Sequence, residues 1–300
     1  MYSNLYETLV NILGSENVLK DEYMSRHTTF KVGGPADFCV TPSNLEAIIE
    51  TVAACKKIQV PYYVIGNGSN LLVKDEGFRG VIIEIGNKYN HIEVLGDAIF
   101  AQAGAILGQV ATKALQNELT GMEFAHGIPG SVGGAVVMNA GAYGGEIKDI
   151  LEEATVIDED GNIFVLKPEE LELGYRHSIV PEKGYIVLDA KFKLRKGDKE
   201  TIKSNMDELA TKRRDKQPLE YPSAGSTFKR PVGGFAAQLI EEAGLKGYTV
   251  GGAQVSEKHS GFVINKGDAT AQDVLDVIEH VKRVVAEKSG IQLETEVKIL

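Results

Sequence analysis

The stretch GIPGSVGGAVVMNAGAYGG, at residues 127–145, decides how this sequence is interpreted. Its glycines are clustered without a period, which excludes collagen-like and low-complexity segments. Glycine lets the backbone approach a phosphate closely, and successive N–H groups then form a concave anion site. Ser131 adds a hydroxyl donor. We therefore expect this stretch to hold an anionic part of a ligand.

A second glycine-rich loop, GNGSN at residues 66–70, follows a predicted strand. It lacks the Gly-Lys-Ser/Thr of a Walker A loop. It has only the start of the GxGxxG pattern, with Leu71 in place of the last glycine, and a strand follows it, which argues against a Rossmann NAD site. For one such loop alone, a tight turn is the commoner interpretation. Two loops in one chain favour a bound pyrophosphate.

Hydrophobic periodicity predicts a chain of mixed helices and strands, and we place a domain boundary at the polar, glycine-containing segment Lys196–Asp198. The predicted helices are 4–13, a helix opened by a Ser43/Glu46 capping box and running to Lys57, 106–117, and 271–287 opened by Thr270 and Asp273. The predicted strands are 36–41, 60–65, 81–85, 98–103, a hairpin at 154–166 turning at 159–162, 185–194, and 291–300.

Composition narrows the class of protein. A length of 300 residues predicts two or three domains, and a formal net charge of -10 argues against nucleic acid as the main partner. Cys39 and Cys55 form no CxxC pair, which suits a reducing compartment. No signal peptide and no apolar run of membrane-spanning length is recognisable. We expect a cytoplasmic protein without membrane partners.

Two strings carry a resemblance to a known family. VIGNGSNLL at residues 64–72 and GIPGSVGGAVVMNAGAYG at residues 127–144 resemble the flavin loops of the UDP-N-acetylenolpyruvoylglucosamine reductase family. The similarity extends from RHTTFKVGG at residues 26–34 to the C-terminus. The family belongs to the flavoprotein superfamily of vanillyl-alcohol oxidase and p-cresol methylhydroxylase.

The resemblance implies an α+β fold with a two-part FAD-binding domain of that superfamily, residues 1–75 and 76–196, and a C-terminal α+β domain, residues 197–300, for a UDP-sugar. It also implies non-covalent FAD, with NADPH as the reductant and the FAD pyrophosphate on the two loops. The cofactor-binding residues so implied are Gly66, Asn67, Gly68, Ser69, Asn70, Gly127, Ile128, Pro129, Gly130, Ser131, Gly133, Gly134, Asn139 and Ala140.

Three further motifs resemble the family's reactive positions. The implied reaction is hydride delivery from reduced flavin to the enolpyruvyl methylene carbon, with a proton delivered to the adjacent carbon. In GYRHS, Arg176 would bind the substrate carboxylate, since a guanidinium matches it bidentately. In AGSTFK, Ser226 would be the proton donor, and in LETEV, Glu296 would assist beside the enolate if it is protonated when charge develops.

The resemblance also implies three substrate-binding residues, Tyr175, Lys216 and Arg230. The last two lie in a basic stretch that could seat the UDP diphosphate or the NADPH phosphates. Some family members carry Asn at the position of Arg230 and insert a tyrosine-bearing loop after the YRxS motif. Only residues 179–184 separate Ser178 from Tyr185, so the sequence resembles the shorter, second type of the family.

Each reactive residue also has a structural interpretation. A lone Arg such as Arg176 is usually a surface charge, Ser226 would be a turn residue, and Glu296 would lie on a solvated strand face. Two rival functions also stand: another flavin oxidoreductase acting on an alcohol or lactone, and a non-enzymatic nucleotide-binding module. No His or Cys grouping has metal-ligand spacing, so we predict no metal. Separately, we expect the protein to be a monomer.

Overall fold

The computed structural model describes residues 3–300, which group into two compact units. Unit 1 comprises the described part of Met1–Lys20 with Phe38–Asn67 and Gly80–Lys212. Unit 2 comprises Asp21–Asp37, Gly68–Arg79 and Arg213–Leu300. The predicted three-part division at residues 75 and 196 stays a prediction, whereas these units each combine distant segments of the chain.

Seven α-helices occur within residues 3–300, and they confirm the four helices predicted from periodicity. They are α1 (Ser3–Leu13), α2 (Leu45–Ile58), α3 (Leu107–Gln116), α4 (Val132–Val137), α5 (Lys199–Lys216), α6 (Ala236–Glu242) and α7 (Ala271–Ser289).

The strands are mostly short, and they confirm the predicted strands except the C-terminal one, of which only two residues form a strand. They are β1 (Val18–Tyr23), β2 (Pro35–Val40), β3 (Tyr62–Ile65), β4 (Leu71–Leu72), β5 (Phe78–Glu84), β6 (Ile92–Leu95), β7 (Ala98–Gln102), β8 (Leu119–Thr120), β9 (Gly141–Ala142), β10 (Gly145–Glu146), β11 (Leu151–Ile157), β12 (Ile163–Leu166), β13 (Ile186–Lys193), β14 (Arg195–Lys196), β15 (Thr249–Val250), β16 (Ala253–Val255), β17 (Val263–Asn265) and β18 (Lys298–Ile299).

Two larger sheets organise the first two hundred residues. A four-stranded sheet has the order β1-β2-β5-β3, with β3 and β5 parallel. A five-stranded antiparallel sheet has the order β12-β11-β13-β7-β6 and contains the predicted hairpin, in which Ile157 pairs with Ile163. Strand β6, which was not predicted, pairs with β7 across a turn at Gly96, whose φ is +67°.

The core of unit 1 joins these sheets to the helices that cover them. Helix α4 packs against β13, the central strand of the five-stranded sheet. The side chains of Leu5, Leu9, Ile48, Ile99 and Phe192 are fully buried. This core fixes the glycine-rich segment that contains α4.

Unit 2 has its own core around α7 and the antiparallel sheet β15-β16-β17. Thr270 and Asp273 form the predicted capping box, with Asp273 N–H donating to Thr270 Oγ1 over 3.1 Å. Burying a Val or Ile side chain stabilises a fold by about 1.5–3 kcal/mol, so the apolar stripe of α7 is a main source of stability here. Its buried members are Val274, Val277, Ile278, Val281 and Val285.

Two local predictions were wrong. Helix α2 is capped by Asn44, whose side chain accepts from Ala47 N–H over 2.8 Å, and the predicted Ser43/Glu46 capping box is absent. The predicted strand 291–300 pairs only through β18, which runs parallel to β4, and through an isolated bridge between Thr295 and Phe228. No helix among residues 3–300 combines the length and the apolar character needed to cross a bilayer.

Candidate functional site

The glycine-rich segment is held at the start of α4 by a side-chain cap and by a hydrogen bond to Ala103. Ser131 is buried and caps α4 by accepting a hydrogen bond from Gly134 N–H over 3.4 Å. Gly133 N–H donates to the Ala103 carbonyl over 2.8 Å, and a β-carbon on Gly133 would lie 3.0 Å from that of Ala103. Gly133 is therefore required for close packing.

Part of this segment presents free backbone donors. Within residues 3–300, the amides of Gly127, Gly130 and Ser131 donate to no acceptor of the chain. The amides of Asn139 and Ala140 are already engaged, to the carbonyls of Val136 and Ala135. The N–H groups that suit a phosphate thus lie before α4, and the predicted contacts of Gly133, Gly134, Asn139 and Ala140 with the cofactor cannot rest on free amides.

The first glycine loop meets this segment inside unit 1. A β-carbon on Gly66 would lie 2.0 Å from Ser131 Oγ, a distance that no real pair of atoms adopts. Gly66 therefore allows the two predicted flavin loops to come into contact. Together with the free amides, this cradle fits a pyrophosphate approached by backbone, which is what the FAD interpretation requires.

The rest of the first loop belongs to unit 2 and supports the C-terminal segment. Gly68 has a φ of +57°, and a β-carbon there would lie 2.0 Å from the His27 carbonyl oxygen. Asn70 donates its side-chain amide to the Glu296 carbonyl over 3.2 Å, and its own carbonyl accepts from Lys298 N–H over 3.0 Å. This loop therefore also fixes the backbone of Glu296.

Arg176 lies at the tip of a tight turn in unit 1. Gly174 and His177 exchange two backbone hydrogen bonds, which leave Tyr175 and Arg176 at the tip. Arg176 has a φ of +53°, and strained backbone of this kind clusters at ligand sites. Its guanidinium donates to the Gly141 carbonyl over 3.3 Å and lies 5.2 Å from the centre of the Tyr175 ring.

The carboxylate of Glu146 lies close enough to Arg176 for the two charges to interact. Partial burial would raise the pKa of Glu146, but hydrogen bonds from Lys148 and Asn139 and the charge of Arg176 outweigh burial and lower that pKa. Glu146 is therefore ionised at neutral pH and complements the guanidinium.

Ser226 and Glu296 lie on neighbouring segments of unit 2. The Thr227 carbonyl, next to Ser226, accepts from Glu296 N–H over 2.8 Å, and Lys229 N–H donates to the Glu294 carbonyl over 2.9 Å. Ser226 is half-buried at the start of this ladder. The structure thus places two of the three predicted reactive residues on adjacent backbone segments.

Two residues outside the predicted site, Thr227 and His259, hold the Ser226 segment. Thr227 is buried, its N–H donates to the Gly261 carbonyl over 2.9 Å and its hydroxyl accepts from Val263 N–H over 2.9 Å. His259 Nδ1 accepts from Gly261 N–H over 3.2 Å, and burial, with the charge of Lys246, lowers the pKa of His259. A neutral imidazole therefore supports this segment, a role that only the contacts reveal.

The remaining predicted residues are solvent-accessible. Tyr175 is 50% exposed in unit 1. Lys216 ends α5, and Arg230 lies 4.7 Å from the ring centre of Phe235. The positive charge of Lys216 also contributes to lowering the pKa of His259. Lys216 and Arg230 belong with Ser226 and Glu296 to unit 2, and Arg176 belongs to unit 1.

Two segments of this chain match known protein families. Residues 36–167 match the family described as FAD binding domain, and residues 217–300 match UDP-N-acetylenolpyruvoylglucosamine reductase, C-terminal domain. A Clostridium botulinum protein named UDP-N-acetylenolpyruvoylglucosamine reductase is 56% identical over 299 residues, which cover 100% of this chain and 97% of that protein.

Solved structures agree with these matches. The crystal structure of UDP-N-acetylenolpyruvylglucosamine reductase from Thermus caldophilus has a TM-score of 0.81 and 38% identity, covering 93% of this chain and 97% of that chain. A variant of Phl p 4, a glucose oxidase, has a TM-score of 0.50 at 15% identity over 66% of this chain and 45% of that chain, a likeness of fold alone. The predicted α+β fold with an FAD-binding domain and a distinct C-terminal domain is confirmed.

Proposed function

The chain belongs to the UDP-N-acetylenolpyruvoylglucosamine reductase family, and from this membership we propose that it reduces UDP-N-acetylglucosamine enolpyruvate to UDP-N-acetylmuramate. The electrons would come from NADPH through non-covalent FAD, and the product would serve peptidoglycan precursor synthesis. The protein would act as a cytoplasmic monomer on these small molecules.

The observation that supports this activity best is the ladder between the Ser226 and Glu296 segments. It holds a hydroxyl and a carboxyl on adjacent backbone, with Glu296 N–H bonded to Thr227. An acid for the carbon beside the substrate carboxylate and a donor for the developing enolate are the two groups that the reaction needs from the protein.

Each group then has a defined task. When bound, reduced FAD supplies the hydride for the enolpyruvyl double bond. Arg176 binds the substrate carboxylate through paired N–H donors and keeps the double bond in one orientation. Ser226 donates its hydroxyl proton to the carbon that carries the carboxylate, and the alkoxide so formed regains a proton from water. Glu296, if protonated, donates a hydrogen bond to the enolate oxygen as charge develops.

The chain's contacts to the cofactor and the UDP group complete the proposal. The free amides of Gly127, Gly130 and Ser131, with Gly66 in contact, would hold the FAD pyrophosphate. Tyr175, Lys216 and Arg230 would contact the UDP-sugar. NADPH and substrate would use the site in turn, because both must reach the same flavin nitrogen.

A half-reaction experiment tests this function. We expect purified protein to show a flavin absorbance spectrum and to oxidise NADPH faster when UDP-N-acetylglucosamine enolpyruvate is present. Ser226→Ala should still let NADPH reduce the flavin but should form no product. Ser223→Ala, in the same segment, is the matched control, because it preserves the carbonyl that accepts from Thr29.

The outcomes separate this proposal from its rivals. Product formation by Ser226→Ala at the normal rate would remove Ser226 as the proton donor. Oxygen consumption with alcohols, without turnover of the enol ether, would favour another flavin oxidoreductase. A colourless protein that takes up no FAD would favour a nucleotide-binding module.

A further inference from the structure

Asn139 is a buried polar residue that the proposed chemistry leaves without a task. Its side chain has no exposed surface, and its φ is +39°, a value that Asn tolerates better than most residues. Its amide donates to the Val136 carbonyl over 3.1 Å, so the backbone there is fixed by the end of α4. This fixed backbone sets the direction in which the Asn139 side chain points.

The side chain of Asn139 joins two segments of unit 1. Its Nδ2 donates to Glu146 Oε2 over 2.7 Å and to the Gly174 carbonyl over 2.9 Å, and its Oδ1 accepts from Lys148 N–H over 2.9 Å. Both amide protons are therefore used within the protein. The Asn139 side chain therefore has no amide proton left for a further acceptor.

One of these bonds reaches the turn that carries Arg176. Gly174 opens that turn, and its carbonyl is one of the two acceptors of Asn139. Arg176 itself donates to Gly141, two residues after Asn139, at the start of β9. The Ser178 hydroxyl donates a further hydrogen bond to the Val137 carbonyl over 2.7 Å. The turn is thus bound to the α4–β9 connection on both sides of Arg176.

We propose that Asn139 is a positioning residue for Arg176: its side-chain amide locks the Gly174–His177 turn to the β9–β10 hairpin and so sets the place of the guanidinium. The inference rests on the proposed binding of the substrate carboxylate by Arg176. Supporting residues of this kind hold reacting groups in the productive geometry, which matters because small misplacements are costly.

Asn139→Asp tests the proposal with minimal change of shape. Aspartate retains the acceptor for Lys148 N–H and tolerates positive φ, but it replaces the donor by a carboxylate oxygen facing Glu146 and the Gly174 carbonyl. Asn162→Asp is the matched control, because Asn162 also donates its amide to a carboxylate, that of Asp158, on an exposed turn.

We expect Asn139→Asp to lower kcat/KM for the enolpyruvyl substrate about tenfold, mainly through KM, with flavin content and the rate of flavin reduction by NADPH unchanged. In the Arg176→Ala background, Asn139→Asp should cause no further loss. Asn139→Gly, which tolerates the positive φ at this position and removes both donors, is the second variant should Asn139→Asp not fold, and it should show the same dependence on Arg176.

The results separate the two hypotheses. If Arg176→Ala alone retains normal kcat/KM, the proposed role of Arg176 is wrong, and the positioning inference ends with it. If Arg176→Ala is impaired but the losses of the double variant multiply, or if Asn139→Asp has normal KM, only the positioning inference is overturned. A loss of FAD in Asn139→Asp, with KM unchanged in the reconstituted enzyme, would return Asn139 to the cofactor site.

Discussion

Asp75 caps helix α7 from a distant part of the chain: its carboxylate accepts from Ala271 N–H over 2.8 Å, and also from Gln272 N–H over 2.9 Å. These donors are among the first N–H groups of α7, which have no partner within the helix. The negative charge also lies at the positive end of the helix dipole. The loop after β4 is thereby tied to the main helix of unit 2.

Loss of this cap should destabilise the protein. We expect Asp75→Ala to lower the free energy of unfolding by about 1–2 kcal/mol, because two charged hydrogen bonds to a helix N-terminus are lost. Urea unfolding followed by circular dichroism measures the change. Glu76→Ala, at the neighbouring exposed carboxylate, should change stability little, and equal effects of the two substitutions would contradict the capping role.

Gly66→Ala should separate the two glycine loops. The added methyl would overlap Ser131 Oγ at 2.0 Å, so the loops must move apart, at a cost of about 1–3 kcal/mol. We expect less bound flavin per chain after gel filtration, measured by absorbance, and a lower melting temperature. Gly234→Ala is the control, since a β-carbon there meets nothing within 4 Å.

A second substitution, Ser131→Gly, should compensate for Gly66→Ala. Ser131→Gly removes the hydroxyl that the new methyl would meet, although it also removes the cap of α4. The double variant should therefore recover flavin relative to Gly66→Ala while staying less stable than the native protein. Equal flavin content in Gly66→Ala and the native protein would show that the contact between the loops is not needed for FAD.

Arg176→Lys tests the geometry of carboxylate binding. Lysine retains the charge but lacks the planar pair of donors, so we expect kcat/KM for the enolpyruvyl substrate to fall about 10- to 100-fold. The rate of flavin reduction by NADPH should stay the same in a stopped-flow measurement. Arg195→Lys, on the exposed strand β14, should leave both rates unchanged. Normal turnover by Arg176→Lys would mean that charge alone suffices.

The sequence predicted the elements of this fold better than their ends. Apolar spacing located α2 correctly, but Ser43 and Asn44 are both good caps, and only the hydrogen bond to Ala47 distinguishes them. Alternation from Leu293 to Val297 is genuine, since both are buried, yet pairing there is limited to one bridge. Periodicity reports which side is buried and does not report which backbone groups find a partner.

Prediction of the candidate site from the sequence was limited in the same way. The glycine loops and the three reactive positions were recognised as motifs, because each is a local string. The role of Asn139 depends on Gly174, 35 residues later, and that of Thr227 on Val263, 36 residues later. A local pattern cannot predict such long-range hydrogen bonds. The sequence motif therefore did not distinguish the free amides before α4 from the side-chain hydrogen bonds of Asn139 after it.

Asp189 predicts an unusual pH dependence of stability. It lies on β13 opposite Thr155, whose hydroxyl donates to it over 2.6 Å. Burial raises the pKa of Asp189 above its ordinary value of 3.8, and the Thr155 hydrogen bond only partly opposes this. Between the ordinary and the raised pKa, the native state binds more protons than the unfolded state. Stability contributed by this group therefore falls as pH rises through that window.

Asp189→Asn removes this titration while it retains an acceptor for Thr155. We expect the variant to gain stability relative to the native protein as pH rises above 3.8, the ordinary pKa of the carboxyl, measured as urea midpoints. Asp198→Asn should show the opposite sign, because the hydrogen bonds from Thr201 lower the pKa of Asp198, and its stabilisation is lost only as pH falls. A difference between Asp189→Asn and the native protein that is constant across pH would show that the fold does not raise the pKa of Asp189.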